Sequence, residues 1–190
     1  YLNGVLVDAR ANGDVILVTT DGHRLLAYPV AVDAIEALAP GEYVIPREAL
    51  EAVKPCKAGR HVLPITIEIV TAPDQPDPER TGVTIKGKTS ITVTGATSTV
   101  TPLIDGKFPD WRRVMPKTVS GEPTQYNPEY VSGFGDICKL LGGKYGPVIN
   151  HNGNSATPVT NLGPALGVIM PMRLDGDDVK FSTLPSWALA

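Results

Sequence analysis

Short runs of β-branched residues, each ended by glycine or proline, are the feature that most constrains the fold of this chain. Its 190 residues include 19 glycines and 18 prolines, so few stretches between them are long enough for a long helix. Val15–Thr20 is such a run, and it stops at the turn signal Asp21-Gly22. The pattern predicts short antiparallel strands, of which the first three form a meander. The predicted strands are residues 2–7, 15–20, 23–28, 41–45, 65–70, 83–85, 91–94, 148–150, 156–160 and 166–173.

Two predictions concern the loops in the middle of the chain. Gly87-Lys88 is typical of a hairpin turn and predicts that the strands at 83–85 and 91–94 pair with each other. Residues 71–80 are rich in proline and acidic residues, which indicates a solvated loop.

Two helices are predicted. The first follows Pro46 and covers residues 47–54. The second starts at Asn127, a good N-cap, continues through Pro128 and ends near Leu141. Strands, a helix and further strands occur twice, so we predict an α+β fold with antiparallel sheets and one amphipathic helix per unit.

Composition excludes several classes of protein. A net charge of −3 and well-spread apolar residues exclude a mainly disordered chain. No apolar run reaches the roughly 18–20 residues of a membrane span. Two cysteines, Cys56 and Cys138, are too few for a disulfide framework, which favours a reducing compartment.

Charge density changes near residue 117. Residues 1–117 hold 13 Lys and Arg and 14 Asp and Glu, whereas residues 118–190 hold 4 and 6. We therefore predict a first unit at 1–117, a second at 118–174 and a C-terminal extension at 175–190. Because the chain opens on Tyr1 within strand-like sequence, we expect it to lack an N-terminal piece of a longer protein.

Candidate catalytic and metal-binding groups are sparse. Asp21 and His23 lie two residues apart and could form the acid/base pair of a hydrolase. No activated Ser or Cys lies nearby in sequence, so capping of the turn is the favoured interpretation. The three histidines are isolated and neither cysteine belongs to a Cys-x-x-Cys pair, so no metal and no cofactor are expected. The acidic stretch 175–178 lacks the spaced ligands of a calcium loop.

Four motifs together resemble the bacterial DNA polymerase III beta sliding clamp family, and they occur in that family's order. They are YLNG at 1–4, TDGHRL at 20–25, DGKFPDWRRVMP at 105–116 and MPMRL at 170–174. The resemblance covers residues 1–117, as most of the clamp's middle domain without its opening strand and helix. It also covers about 123–174, as the second half of the last domain. It implies a DNA-clamp-like fold.

The resemblance also implies a groove that receives short apolar peptides. Its matching residues are Leu2, Thr20, Gly22, His23, Arg24, Leu25, Pro109, Arg113, Val114, Val168, Met170, Pro171, Met172 and Arg173. Their chemistry is consistent with this role, because apolar and adaptable Met side chains can form a trough while arginines hold carbonyls or carboxylates. The alternative is that these residues only pack two domains together.

By resemblance, the implied function is that of a non-enzymatic processivity factor for DNA polymerase. Its expected partners are DNA polymerase and other proteins with clamp-binding motifs, the clamp loader, and duplex DNA if a ring forms from several copies. The candidate DNA contacts are Tyr1, Arg47, Lys54, Lys57, Arg60, Lys139 and Lys144. The expected location is the cytoplasm, at the nucleoid, of a bacterium or of the host of a phage or plasmid. The alternative is a clamp-related adaptor or competitor that binds peptides without encircling DNA.

The extension 175–190 allows two interpretations. Its acidic start and its spaced residues Phe181, Leu184 and Trp187 could let it occupy or regulate the groove. Alternatively, these apolar residues cover an exposed sheet edge.

Overall fold

The computed structural model describes residues 2–31, 38–53, 57–58, 61–62, 65–82, 84–85 and 87–173, with the backbone alone at 57–58 and 61–62. Several sequence predictions therefore lie outside the described residues. They concern Tyr1, Lys54, Arg60, the side chain of Lys57 and the extension 175–190.

Among the described residues, seven strands form one antiparallel sheet, which we call the main sheet. Its order is β12-β13-β14-β3-β2-β1-β4. These strands are β1 (Gly4–Ala9), β2 (Val15–Thr20), β3 (Arg24–Pro29), β4 (Gly41–Pro46), β12 (Val148–Ile149), β13 (Thr157–Leu162) and β14 (Ala165–Ile169). The predicted meander is confirmed, since β1 pairs with β2 and β2 with β3. The sheet crosses residue 117, because β14 pairs with β3.

The remaining described strands form smaller sheets. A three-stranded sheet has the order β11-β10-β7, and β5 pairs with β6 and β8 with β9. Their bounds are β5 (Lys57–Ala58), β6 (His61–Val62), β7 (Thr66–Thr71), β8 (Gln75–Pro76), β9 (Thr84–Ile85), β10 (Thr89–Thr94) and β11 (Ser98–Pro102).

Two helices lie against one face of the main sheet, which we call the helix face. Helix α1 (Arg47–Ala52) packs Ala49 against Val7 and Ile45, and Ile91 of β10 joins the same core. Helix α2 (Pro128–Leu140) packs Phe134 and Cys138 against β13 and β14. The predicted start of α2 is confirmed, because the Asn127 side chain accepts a hydrogen bond from the Glu129 N–H at 2.9 Å.

The opposite face of the main sheet is covered by side chains from residues 104–115, and we call it the linker face. Phe108 and Trp111 of this segment pack with Leu25 and Val168. The segment contains a short 3-10 helix (Trp111–Val114). Strand pleating explains the division, because β3 and β14 pair Leu25 with Val168, and both side chains point to the linker face.

The structure differs from the strand prediction in several places. The hairpin predicted at Gly87-Lys88 is wrong, since β10 pairs with β7 and β11 while β9 pairs with β8. Strand β14 ends at Ile169 rather than at Arg173.

The predicted α+β class with antiparallel sheets and few helices is confirmed. In the part of the chain that the structure describes, no helix is long and apolar enough to cross a bilayer.

Candidate functional site

The turn between β2 and β3 presents the TDGHRL motif in a fixed shape. Thr20 Oγ1 donates to the Arg24 carbonyl at 2.8 Å and accepts from the Gly22 N–H at 3.1 Å. Gly22 has a φ of 90°, a conformation that favours glycine. Asp21 Oδ1 accepts from the N–H groups of His23 and Arg24, both at 2.9 Å. These hydrogen bonds therefore fix the backbone of His23 and Arg24.

Asp21 acts as the cap of this turn. Partial burial tends to raise the pKa of its carboxyl, but hydrogen bonds from the His23 and Arg24 backbone and the nearby Arg24 guanidinium outweigh burial and lower the pKa. Arg24 Nε also donates to Asp21 Oδ2 at 3.0 Å. Because its carboxylate oxygens are engaged by these donors, Asp21 has the properties of a structural cap rather than of a general base for His23.

Tyr130, in the first turn of α2, lies against both side chains that the turn presents. Its ring stacks on the His23 ring with 5.8 Å between centroids. The Arg24 guanidinium carbon lies 4.9 Å from the centre of the Tyr130 ring, a cation–π distance. Sequence reasoning missed Tyr130. The sequence signal was limited to the Asn127–Pro128 helix start, which places Tyr130 in the first turn of α2 but does not show what that turn packs against.

The segment that follows β14 runs beside the same turn. The Met170 N–H donates to the His23 carbonyl at 2.8 Å, and the Met172 N–H donates to the Gln125 carbonyl at 2.9 Å. The Met170 and Met172 side chains are 40% and 45% exposed. Two adaptable apolar side chains thus stand in solvent beside His23.

A cleft lies on the linker face, next to Met170. It has a volume of about 400 Å³, and we call it the linker cleft. It is lined by Arg113, Val114, Met115, Pro116, Lys117, Thr118, Asn152, Ser155, Ala156 and Met170. The linker wall of the cleft is fixed to the sheet just before Arg113, where Trp111 is buried and Arg112 pairs with the buried carboxylate of Asp8. The guanidinium carbon of Arg112 lies 4.9 Å from the centre of the Trp111 ring.

A second, larger hollow opens on the helix face between α1 and α2. This interhelix cavity has a volume of about 560 Å³. Its lining residues are Leu2, Asn3, Gly4, Val5, Thr19, Thr20, Asp21, Arg24, Leu25, Leu26, Arg47, Gly133, Phe134 and Ile137. The 20–25 turn borders this cavity at the ends of β2 and β3. Met170, which lines the linker cleft, is hydrogen-bonded to the same turn.

The predicted groove residues are thus distributed over two hollows and the surface between them. Leu2, Thr20, Arg24 and Leu25 line the interhelix cavity, whereas Arg113, Val114 and Met170 line the linker cleft. Leu25 and Val168 are buried under the linker. Gly22, His23, Pro109, Met172 and Arg173 are exposed, Pro171 is half-buried, and these six line neither hollow.

The candidate DNA contacts that the structure describes do not form a cluster of unpaired cations. Arg47 pairs with Glu51 at 2.5 Å, and Lys139 lies 3.4 Å from Asp136. The Lys144 ammonium lies 5.5 Å from the centre of the Tyr145 ring. Within the described ranges, no group of three or more His, Cys, Asp or Glu side chains could hold a metal ion.

Among known proteins, the sequence is similar to bacterial beta sliding clamps. No family model matches the chain. The beta sliding clamp of Pseudomonas putida is 31% identical over 118 residues, which is 62% of this chain and 27% of that protein. The beta sliding clamp of Salmonella typhimurium is 29% identical over 119 residues and is covered to 26%. The matched segment therefore spans about a quarter of the length of these curated relatives.

Solved structures give the same result for the fold. The DNA polymerase III beta subunit of Pseudomonas aeruginosa superposes with a TM-score of 0.54 at 19% identity, over 90% of this chain and 58% of that one. A Helicobacter pylori beta clamp, solved with a bound DNA ligase peptide, superposes with a TM-score of 0.50 at 14% identity, over 91% of this chain and 58% of that one. These likenesses establish the fold.

Proposed function

We propose that this chain, a divergent relative of the bacterial beta sliding clamps, binds short apolar peptides of replication and repair proteins at the surface around His23 and Met172. In this role it is a non-enzymatic accessory factor that helps to hold a DNA polymerase on its template. We call this surface the peptide site and define it by His23, Arg24, Tyr130, Met170 and Met172.

The observation that carries the proposal is the union of two distant motifs at one place. The Met170 N–H to His23 carbonyl bond at 2.8 Å joins residues 20–25 to residues 170–173. The joined surface offers exposed methionines beside an Arg–Tyr stack. Such a surface suits a peptide with apolar side chains, which need adaptable contacts. It also suits peptide carbonyl groups, to which the terminal N–H groups of Arg24 can donate while its Nε stays on Asp21.

Neighbouring hollows support the same conclusion. The linker cleft and the interhelix cavity have volumes of about 400 and 560 Å³, within the usual range of ligand pockets. They lie on opposite faces of the main sheet, near the strand ends that the 20–25 turn joins. A peptide that crosses these strand ends can place side chains in both.

A fluorescent peptide with a Gln followed by a Leu-Phe type apolar end tests the peptide site. We expect the full chain to bind it with a micromolar dissociation constant, about −8 kcal/mol. A peptide of the same composition in scrambled order is the control. Equal binding of both peptides, or no binding of either, would contradict the proposal.

DNA retention is the second part of the proposal, and one measurement distinguishes two architectures. Several copies could assemble into a ring, or a single copy could act as an adaptor or competitor that binds peptides without encircling DNA. Light-scattering mass measured with and without nicked circular DNA distinguishes them. A ring remains on the circular duplex and slides off when both strands are cut and the DNA becomes linear. A monomer that never stays on the circle favours the adaptor.

A ring would contact phosphates without reading bases, so its DNA affinity should not depend on sequence and should fall steeply with salt. Replacing Lys54, Lys57 and Arg60 with alanine should weaken binding equally for all sequences. Protection of particular bases in a footprint would contradict this mode of binding. The proposed location, in either architecture, is the bacterial cytoplasm, where DNA polymerase and the clamp loader act.

A further inference from the structure

The linker cleft combines an apolar floor with a basic rim. Met115 and Ala156 pack against the buried core of the linker face, and the exposed side chains of Val114 and Met170 border the opening. Arg113 and Lys117 are exposed at its rim. The lining includes no acidic residue. An occupant of this cleft should therefore be apolar and negatively charged.

The charge of this rim is not neutralised within the described part of the chain. Neither Arg113 nor Lys117 forms an ion pair with any residue that the structure describes. The interhelix cavity differs, because its two arginines pair with carboxylates, Arg24 with Asp21 and Arg47 with Glu51. Of these two hollows, the linker cleft is therefore the one whose basic side chains are available to pair with an acidic ligand.

The chain itself contains a segment of that chemistry at a short distance. Arg173, the last described residue, comes three residues after Met170, which lines the cleft. The sequence continues with Asp175, Asp177 and Asp178, and then with the apolar residues Phe181, Leu184 and Trp187 at intervals of three. At about 3.3 Å per residue, Asp178 can reach at most roughly 26 Å from Met170, enough to turn back over the cleft.

We propose that residues 174–190 bind the linker cleft of their own chain, with the aspartates on Arg113 and Lys117 and with Trp187 on the apolar floor. The segment then covers Met170 and competes with peptides at the peptide site. This competition rests on the function proposed above, whereas the docking of the segment does not. With the segment docked, the chain binds an external peptide more weakly than it would with the segment removed.

The tether determines the size of the effect. A segment joined by a short flexible linker has an effective concentration near 1 mM. If the free segment bound the cleft with a dissociation constant of about 0.3 mM, it would occupy the cleft most of the time and weaken an external peptide about fourfold. The attraction of the aspartates to Arg113 and Lys117 should weaken as salt is added, because both basic side chains are exposed.

Tryptophan quenching tests the docking without any peptide. The chain has two tryptophans, and Trp111 is only 8% exposed, so a neutral quencher such as acrylamide reports mainly on Trp187. Subtracting the signal of a Trp187→Phe variant isolates it. We expect Trp187 to be at least twofold less quenchable in the native chain at low salt than in a variant with Asp175, Asp177 and Asp178 replaced by Asn.

A matched control removes three other exposed carboxylates from the chain. Glu42→Gln, Glu68→Gln and Glu79→Gln change the net charge by the same amount at exposed residues that do not line the cleft, so Trp187 should stay protected. Full exposure of Trp187 in the native chain overturns the proposal. Equal protection in the aspartate variant also overturns it, since the segment would then bind without Arg113 and Lys117.

The peptide titration adds the competition. The aspartate variant should bind the fluorescent peptide about fourfold more tightly than the native chain, and the control variant should not. Unchanged affinity, with Trp187 released, would overturn the competition. A peptide that binds no variant would instead contradict the proposed function, while the quenching result would stand as support for the docking.

Discussion

Replacing Gly167 with alanine tests the packing that places α2, and with it Tyr130, on the main sheet. Gly167 lies in β14 opposite Leu26 of β3. A Cβ at Gly167 would stand 2.5 Å from Cε1 and 3.1 Å from Cδ1 of Phe134. Phe134 is only 3% exposed and packs in the core beside β13 and β14, so the ring and the helix that carries it must shift to make room. We therefore expect α2 to be pushed away from the sheet.

The expected cost follows from overpacking of a core, about 1–3 kcal/mol. For a chain of this length, each 1 kcal/mol changes Tm by about 2–4 °C, so Gly167→Ala should lower Tm by about 2–12 °C. Gly135→Ala is the matched control, because a Cβ there meets nothing within 4 Å and alanine favours the helix by about 1 kcal/mol. It should raise Tm by about 2–4 °C.

Thermal unfolding followed by circular dichroism measures both variants. The same displacement should move Tyr130, one helical turn before Phe134, away from His23, so Gly167→Ala should also weaken peptide binding. A Gly167→Ala chain as stable as the Gly135→Ala chain would refute the packing argument.

Three further predictions follow from individual contacts. The lowered pKa of Asp21 implies that its carboxylate stabilises the fold above about pH 4 and that this contribution is lost as pH falls through the folded-state pKa. Asp21→Asn should therefore be less stable at pH 7 by less than about 1 kcal/mol, since the side chain is 43% exposed, and the gap should close toward pH 3 in urea unfolding. Leu25→Ala should cost about 2–5 kcal/mol of unfolding free energy, because Leu25 is 5% exposed, and a cost below 1 kcal/mol would contradict its place in the core. Arg112→Met leaves the buried carboxylate of Asp8 with a weaker partner, Arg10 at 3.7 Å, so it should cost about 1–3 kcal/mol, and adding Asp8→Asn should recover part of the loss.

Elements with strong local signals were predictable from the sequence. Strand β2 has the predicted bounds because a β-branched run meets the turn residues Asp21 and Gly22. Helix α2 starts as predicted because Asn127 and Pro128 act within the helix's own first turn. In both cases the determining interactions lie within a few residues of one another.

Strand partners were less predictable, because they depend on distant residues. Strand β10 pairs with β7, and Ile91 faces Ile69 across 22 positions of sequence, so the Gly87-Lys88 turn signal was misleading. Strand β11 was missed because Ser98–Pro102 is rich in Ser and Thr. Its Val100 is 68% exposed whereas Thr99 and Thr101 are half-buried, so hydrophobicity does not mark the inward side of the strand.

The candidate site was predictable in its motifs and not in its faces. The resemblance brought residues 20–25 and 170–173 together, and the structure places them side by side. Only the pleat of the sheet and the path of the linker show that Leu25 is core while Met172 is surface. Tyr130 enters the site through the packing of α2, which no local sequence pattern specifies.

Peptide affinity of a double variant at the exposed peptide site is the most direct test of the central claim. His23 and Met172 are both exposed, so His23→Ala with Met172→Ala should leave folding intact. Tyr145→Ala with Val148→Ala removes two other exposed apolar side chains, which line neither hollow, and serves as the matched control. We predict that the first pair weakens binding of the fluorescent peptide at least tenfold, about 1.4 kcal/mol, while the control pair changes it less than twofold. Equal affinities of a folded His23/Met172 variant and the native chain would contradict the assignment of the peptide site.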